Sequence, residues 1–169
     1  MKVLILSIGL FLFAASHASA LSINDPAPLF SLRDGSGGYF HLSDHIGQKN
    51  KDGSKGIIVN FFSSTCIPCK HELPVLKSLV DEFSKKKIKV VIIGYKEDFD
   101  KIDEMLESLK VDRPIILSDV YGKTGEKYGV KGLPITIFIG ADGKVKDIIR
   151  GELPNIEKIL RDKAGKLLK

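Results

Sequence analysis

The segment that most constrains this chain joins the end of an apolar run to the start of a helical pattern and carries both cysteines. Residues 57–62 are apolar apart from Asn60, and such a run is typical of a strand buried on both faces. Cys66 and Cys69 follow in C-x-x-C spacing, and from Leu73 onward apolar residues recur at helical intervals. Cysteines so spaced at a helix N-terminus can close a reducible disulfide, and the helix end stabilises a thiolate on the first. The segment therefore predicts redox chemistry at a strand–helix junction.

The first twenty residues have the pattern of a secretory signal. Lys2 supplies a basic start, residues 3–15 are apolar, and Ala18-Ser19-Ala20 matches a small-residue cleavage site. The alternative is an uncleaved membrane anchor, but a membrane span needs about 20 apolar residues and this run is shorter. We therefore predict a signal peptide at residues 1–20, removed after Ala20. The mature protein is then expected outside the cytoplasm, in a periplasmic compartment where disulfides persist.

Residues 21–169 have the length and apolar content of one globular domain. The full sequence has a formal net charge of +5, and loss of Lys2 with the signal leaves +4. Basic residues are scattered among acidic ones, apart from the run Lys85-Lys86-Lys87, and no basic stripe is interleaved with aromatic side chains. This pattern indicates a weakly basic surface and argues against nucleic-acid binding.

The order of apolar patterns along the chain predicts an α/β fold. Strands are predicted in an N-terminal hairpin (23–32 with 39–42) and at 57–62, 90–94, 115–117, 135–139 and 145–149. Helices are predicted from the C-x-x-C to residues 85–89, and at 99–109, 121–128 and 154–168. The early alternation of strands and helices predicts parallel strands, and the late hairpin adds an antiparallel pair. We therefore expect a mixed central sheet flanked by helices, with an N-terminal β-hairpin extension. C-x-x-C beside a βαβ pattern is typical of thioredoxin-like proteins.

Six short motifs then carry a resemblance to a known family. They are, in chain order, Asp25-Pro26-Ala27-Pro28-Leu29-Phe30, Asn60-Phe61-Phe62, Cys66-x-Pro68-Cys69-Lys70-x-Glu72-x-Pro74, Tyr128-Gly129-Val130-x-Gly132-x-Pro134, Asp142-Gly143-Lys144-Val145, and Gly151. On these motifs, which span nearly all of residues 21–169, the chain resembles the extracytoplasmic thioredoxin-like proteins called TlpA/ResA-like, within the redoxin superfamily. Thr65 departs from the pattern: many relatives have tryptophan before the first cysteine, and this chain has no tryptophan.

The resemblance implies a thioredoxin-like domain at residues 21–169 and a redox-active disulfide between Cys66 and Cys69. Cys66, at the helix N-terminus, is expected to attack a partner disulfide, and Cys69 to resolve the mixed disulfide. The family pattern also makes the bond before Pro134 a cis bond facing the C-x-x-C, with the backbone of Leu133 pairing with the bound partner chain. Catalytic roles are thus predicted for both cysteines, Glu72 and Pro134.

Glu72 is the most informative residue after the cysteines. It lies three residues after Cys69, so the two share a helix face. Its other helical neighbours, Pro68, Val75 and Leu76, are not basic, which is unusual for an exposed glutamate in a ladder of ion pairs. Burial would raise its pKa and let it accept the Cys69 proton near neutral pH. In the TlpA/ResA-like pattern a glutamate here has that role; the alternative is an ordinary exposed glutamate.

The leading hypothesis is an extracytoplasmic thiol–disulfide oxidoreductase that reduces protein disulfides. By resemblance, its substrate would be a protein such as apocytochrome c, at the haem-attachment cysteines, and its electrons would come from a membrane-bound thiol–disulfide donor. We expect a monomer and no organic cofactor.

Other functions fit the residues less well. A peroxiredoxin-like thiol peroxidase wants proline seven and threonine or serine three residues before its cysteine, and Val59 and Ser63 supply only half of that signature. A zinc site needs four ligands, and only two cysteines are present. A four-residue disulfide ring constrains little chain, so a purely structural disulfide would contribute little stability. A binding module without turnover would not need intact Cys66, Cys69, Glu72 and Pro134.

Overall fold

The computed structural model describes residues 21–169, so the predicted signal peptide at residues 1–20 lies outside the described residues. The strands are β1 (Ser31–Asp34), β2 (Tyr39–His41), β3 (Gly56–Phe62), β4 (Ile88–Tyr95), β5 (Ile115–Asp119), β6 (Ile135–Gly140) and β7 (Val145–Arg150). The α-helices are α1 (Ile67–Lys85), α2 (Phe99–Ser108), α3 (Lys123–Lys127) and α4 (Ile156–Ala164). None of the helices within residues 21–169 is long and apolar enough to cross a membrane.

The strands form one mixed sheet in the order β2-β1-β5-β4-β3-β6-β7. β4 pairs in parallel with both β3 and β5, whereas β6 runs antiparallel to β3 and β7 antiparallel to β6. The N-terminal hairpin joins the sheet through an antiparallel pairing of β1 with β5. The predicted mixed sheet is therefore confirmed, and its two most apolar strands, β3 and β4, are adjacent and parallel at its centre.

Several element boundaries differ from the prediction. The first hairpin strand is Ser31–Asp34 and not 23–32, β5 extends to Asp119, and α3 and α4 are shorter than predicted. β4 begins at Ile88, two residues before the predicted start, because Ile88 is fully buried while the neighbouring Lys89 reaches out to Asp52 (Nζ to Oδ2, 3.0 Å). The lysine-rich sequence suggested a solvated helix end there. Leu42, predicted in the second hairpin strand, instead begins a short 3-10 helix that ends at Asp44.

The sheet is covered on both faces by hydrophobic cores. Alternate residues of β3 point to opposite sides, so that Ile58 and Phe62 pack in the core beneath α1, α2 and α4. Ile57, Val59 and Phe61 pack in the opposite core. Side chains of the N-terminal segment and Tyr128, the residue after α3, complete that core. Every residue of β3 is buried, which is why its sequence does not alternate between apolar and polar.

The entry segment before β1 is attached along the β6–β7 turn. The backbone N–H of Asn24 donates to the carbonyl of Val145 (2.8 Å), and that of Ala27 to Gly143 (2.9 Å). The hydroxyl of Tyr128 donates to the carbonyl of Pro28 at 2.9 Å, and burial raises the pKa of Tyr128, so the hydroxyl stays a donor. Motifs about one hundred residues apart in the sequence are thus in direct contact.

Candidate active site

The two cysteines lie where β3 gives way to α1. Cys66 is the N-cap residue of α1 and Cys69 belongs to its first turn. They form a disulfide, with their Cα atoms 5.3 Å apart. Cys66 is half-buried and Cys69 is completely buried. A partner molecule can therefore reach Cys66 but not Cys69.

The helix terminus is arranged to favour negative charge on Cys66. The backbone N–H of Cys69 donates a hydrogen bond to Cys66 Sγ at 3.2 Å, and Pro68 occupies the first turn, where a missing N–H costs no helical bond. A thiolate at this position would keep that donor and would lie at the positive end of the helix dipole. Both effects lower the pKa of a cysteine thiol.

Glu72 lies inside the protein, one turn after Cys69. Its side chain is buried, with the residue only 3% exposed. Burial raises the pKa of Glu72, hydrogen bonds from Thr136 and Asn60 partly oppose that rise, and the charge of Glu152 adds to it. The sequence-based expectation of a buried glutamate with a raised pKa is confirmed, and the alternative of an exposed glutamate is excluded.

The carboxylate of Glu72 is held by two residues of the sheet. Thr136 Oγ1 donates to Glu72 Oε1 at 2.6 Å, and Asn60 Nδ2 donates to the same oxygen at 3.0 Å. Asn60 and Thr136 are direct partners across β3 and β6, and Asn60 Nδ2 also donates to Thr136 Oγ1 at 2.8 Å. The sequence analysis missed Thr136, although a single hydroxyl inside the apolar run 135–139 is a signal that could have drawn attention to it.

Pro134 immediately precedes β6 and follows Leu133, which lines a surface groove together with Cys66. The Leu133–Pro134 bond is cis, as the resemblance predicted. The carbonyl of Pro134 accepts a hydrogen bond from the backbone N–H of Gly151 at 2.8 Å. Leu133 borders the same surface groove as Cys66, so its backbone lies where a partner chain would approach the accessible cysteine.

A second glutamate supports the loop before Cys66. Glu97 accepts hydrogen bonds from both the N–H (2.8 Å) and the hydroxyl (2.6 Å) of Ser64, and it is buried. The preceding Lys96 has a positive φ of 60°, which turns the chain back after β4 so that Glu97 faces the loop. Sequence reasoning missed Glu97, because a glutamate beside a lysine just after a strand resembles a surface residue.

None of the three histidines in residues 21–169 lines the groove beside Cys66. His71 is exposed on α1, where its Nδ1 lies 2.8 Å from Glu152 Oε1. His45 pairs with Asp52 at 2.7 Å, and His41 is exposed on β2. Within residues 21–169 no group of three or more His, Cys, Asp or Glu side chains is placed to hold a metal ion.

The C-x-x-C disulfide lies at the junction between a central strand and a helix, one of its cysteines is accessible, and a buried carboxyl group lies beneath it. Together, the fold and this site define a thiol–disulfide oxidoreductase. The chain belongs to the AhpC/TSA family, whose model matches residues 23–148. It is 30% identical to the thiol-disulfide oxidoreductase ResA of Bacillus subtilis (strain 168) over 153 residues, covering 89% of this chain and 81% of that relative. It is also 36% identical to the thiol:disulfide interchange protein CycY of Rhizobium leguminosarum bv. viciae, over 52% of this chain and 46% of that relative.

Among solved structures, a Chlorobium tepidum protein assigned as a thiol:disulfide interchange protein DsbE superposes with a TM-score of 0.77 at 27% identity. The match covers 89% of this chain and all of that one. The predicted thioredoxin-like fold and the predicted enzyme class are therefore confirmed, and protein disulfides are the substrates that this class implies. The peroxidase alternative has less support.

Proposed function

We propose that this protein donates electrons to disulfides of other proteins, with Cys66 as the nucleophile and Cys69 as the resolving cysteine. The observation that carries the proposal is the contrast in exposure within one disulfide: Cys66 is half-buried at a helix N-terminus, whereas Cys69 is completely buried above Glu72. A partner disulfide can therefore meet only the sulfur of Cys66. Only the sulfur of Cys69 can then attack Cys66 from inside the protein.

The reaction begins with both cysteines reduced. The thiolate of Cys66 attacks one sulfur of the partner disulfide, a Cys66–partner disulfide forms, and the partner's other sulfur leaves as a thiolate that takes a proton from water. Cys69 then loses its proton and attacks Cys66 Sγ. The Cys66–Cys69 disulfide forms, the second partner thiolate leaves, and two electrons have passed to the partner.

Glu72 takes the proton of Cys69 in the second step. Its raised pKa matches a group that must accept a proton near neutral pH, and its position one turn after Cys69 puts it on the same helix face. Pro134 and Leu133 form the wall against which the partner chain aligns. The hydrogen bonds that Thr136 and Asn60 donate to the carboxylate keep Glu72 oriented between turnovers.

The cellular setting follows from the sequence. The signal-like residues 1–20 and a C-x-x-C disulfide both support an extracytoplasmic, periplasmic location. There, a membrane-bound thiol–disulfide donor would return the disulfide to the dithiol, and no organic cofactor is needed because the cysteines carry the electrons. By resemblance to the TlpA/ResA-like proteins, apocytochrome c is the candidate substrate, and the protein would act as a monomer.

Trapping of partners tests this proposal. A Cys69→Ser variant can form the mixed disulfide but cannot resolve it, so we expect reductant-sensitive adducts between Cys66 and partner proteins. The matched control, Cys66→Ser, should form none. Reduced wild-type protein should be oxidised rapidly by a protein disulfide and slowly by hydrogen peroxide. The reverse preference would replace the proposed function with a peroxidase.

A further inference from the structure

The groove beside Cys66 is flanked by positive charge. It has a volume of about 680 Å³ and includes Lys96, from the loop after β4, and Lys131, from the loop before β6. Both lysines are exposed. Neither forms an ion pair with a carboxylate of residues 21–169; Lys96 lies over the ring of Tyr95, 5.1 Å from its centre. Lys96 interacts electrostatically with Glu126, but neither lysine has a carboxylate of residues 21–169 as a direct partner, so both can contact a bound molecule.

No acidic residue of the described chain lines this groove. The acidic side chains around the cysteines are either buried or already paired. Glu72 and Glu97 are buried, and Glu97 directs both carboxylate oxygens at Ser64. Glu152 is in hydrogen-bond contact with His71 on α1 and does not line the groove. Glu126 on α3 interacts electrostatically with Lys96, but its ion pair is with Lys123. The groove lining itself therefore carries a net positive charge.

The remaining groove surface is largely apolar. Ile67, the residue after Cys66, is 67% exposed, and Val130 and Leu133 form part of the opposite wall. Thr65 borders the groove at the position where many relatives carry tryptophan, so the space beside Cys66 is not filled by a large ring. Such a groove suits an extended chain that places apolar side chains at its floor and charged ones at its rim.

We propose that this groove binds a protein segment that carries acidic side chains next to its disulfide. The inference rests on the proposed function, because it describes the substrate of that same site. Opposite charges at the rim would steer the segment towards Cys66 and fix its orientation, and a basic segment would be repelled. Among the protein disulfides available, the enzyme would select those in acidic surroundings.

Three disulfide-linked peptides test the inference. They are identical except at two positions flanking one cysteine, which are both Glu, both Gln or both Lys. The measurement is the rate constant for reduction by the reduced protein, normalised to reduction of the same peptide by dithiothreitol. We expect the order Glu, Gln, Lys, with about a tenfold span at low ionic strength that shrinks in about 1 M salt.

Two double variants assign the effect to the groove. Lys96→Gln with Lys131→Gln removes both groove charges. The control, Lys85→Gln with Lys87→Gln, removes two exposed lysines at the far end of α1. The two double variants are matched in backbone conformation, because each includes one lysine with a positive φ (60° at Lys96, 57° at Lys87). The ratio of Glu-peptide to Lys-peptide rates should fall towards unity in the groove variant and stay unchanged in the control.

The possible outcomes separate this inference from the proposed function. Equal normalised rates for the three peptides, a faster Lys peptide, or a ratio that survives in the groove variant would overturn the inference while leaving the reductase intact. Failure to reduce any peptide, and also the uncharged hydroxyethyl disulfide, would overturn the proposed function and this inference with it.

Discussion

Thr136 on β6 donates a hydrogen bond from Oγ1 to Oε1 of Glu72 on α1 at 2.6 Å, across 64 residues of sequence. This bond stabilises the charged form of a carboxyl group that burial would otherwise keep protonated. The pKa of Glu72 is raised, yet the carboxylate has a donor ready for it. A group balanced in this way can both accept a proton and release it, which a base for Cys69 must do in every turnover.

Reaction with iodoacetamide should separate the two cysteines. In the reduced native protein we expect Cys66 to react at least about ten times faster than Cys69, because Cys66 is accessible and lies at the helix N-terminus. Mass spectrometry of the quenched protein gives both rates. Denatured protein, in which the two thiols should react alike, is the control. Equal or reversed rates in the native protein would contradict the assignment of Cys66 as nucleophile.

Glu72→Gln should slow resolution of the mixed disulfide. Glutamine keeps the size of the side chain but cannot accept the Cys69 proton, so we expect a loss of about 100-fold in that step. The pKa of Cys69 should fall in the variant, because a negative charge beside the thiolate has been removed. Stopped-flow kinetics and a pH titration of both thiols measure the two effects. Glu107→Gln, an exposed change on α2, is the control, and unchanged rates and pKa values in Glu72→Gln would remove Glu72 from the mechanism.

The pH dependence of stability should change in the same Glu72→Gln variant. An unfolded glutamate has a pKa of about 4.3, and burial raises the folded value. Between those two values the folded state binds more protons than the unfolded state, so the free energy of unfolding falls as pH rises. Below the unfolded pKa the carboxyl group is protonated in both states, and this loss of stability is absent. The oxidised variant should therefore gain stability relative to oxidised wild type from about pH 4 upward. Urea unfolding measures this, and a constant difference would mean that Glu72 has an ordinary pKa.

Thr136 can be tested through its hydroxyl. Thr136→Val keeps the shape but removes the donor to Glu72 and the acceptor for Asn60, so we expect a loss of about 1–3 kcal/mol in the free energy of unfolding and a further rise in the pKa of Glu72. Thr136→Ser retains the hydroxyl and should keep that pKa near the wild-type value. The pH profile of mixed-disulfide resolution reports the pKa, and identical profiles for the two variants would show that the hydroxyl is not needed.

Glu97 provides the corresponding test for the loop before Cys66. Glu97→Ala leaves the N–H and hydroxyl of Ser64 without their acceptor, which should cost about 1–3 kcal/mol of stability. Because that loop positions Cys66, kcat/KM for a protein disulfide should fall about tenfold. Glu97→Gln retains one acceptor oxygen and should recover part of both losses. Full activity in Glu97→Ala would mean that α1 alone positions Cys66.

Local pattern alone predicted most of the fold. The apolar runs predicted β3 as a strand buried on both faces and β4 as a further strand. The spacing from Cys69 to Glu72 placed both residues on one face of α1, because side chains three apart on a helix are neighbours. The lack of basic neighbours around Glu72 indicated its burial. These features depend only on residues within one or two helical turns of each other, and such short-range geometry is fixed once a helix or strand is recognised.

Tertiary structure decided which distant residues complete the site. Thr136 reaches Glu72 because β6 pairs with β3 in a register that sets Thr136 opposite Asn60, and that register is not encoded in either strand alone. Glu97 reaches Ser64 because the ends of β3 and β4 lie side by side in the sheet. The two lysines of the groove likewise come from two separate loops. The sequence determined the elements and the redox pair, whereas long-range strand pairing decided what surrounds them, since it depends on contacts among all the strands at once.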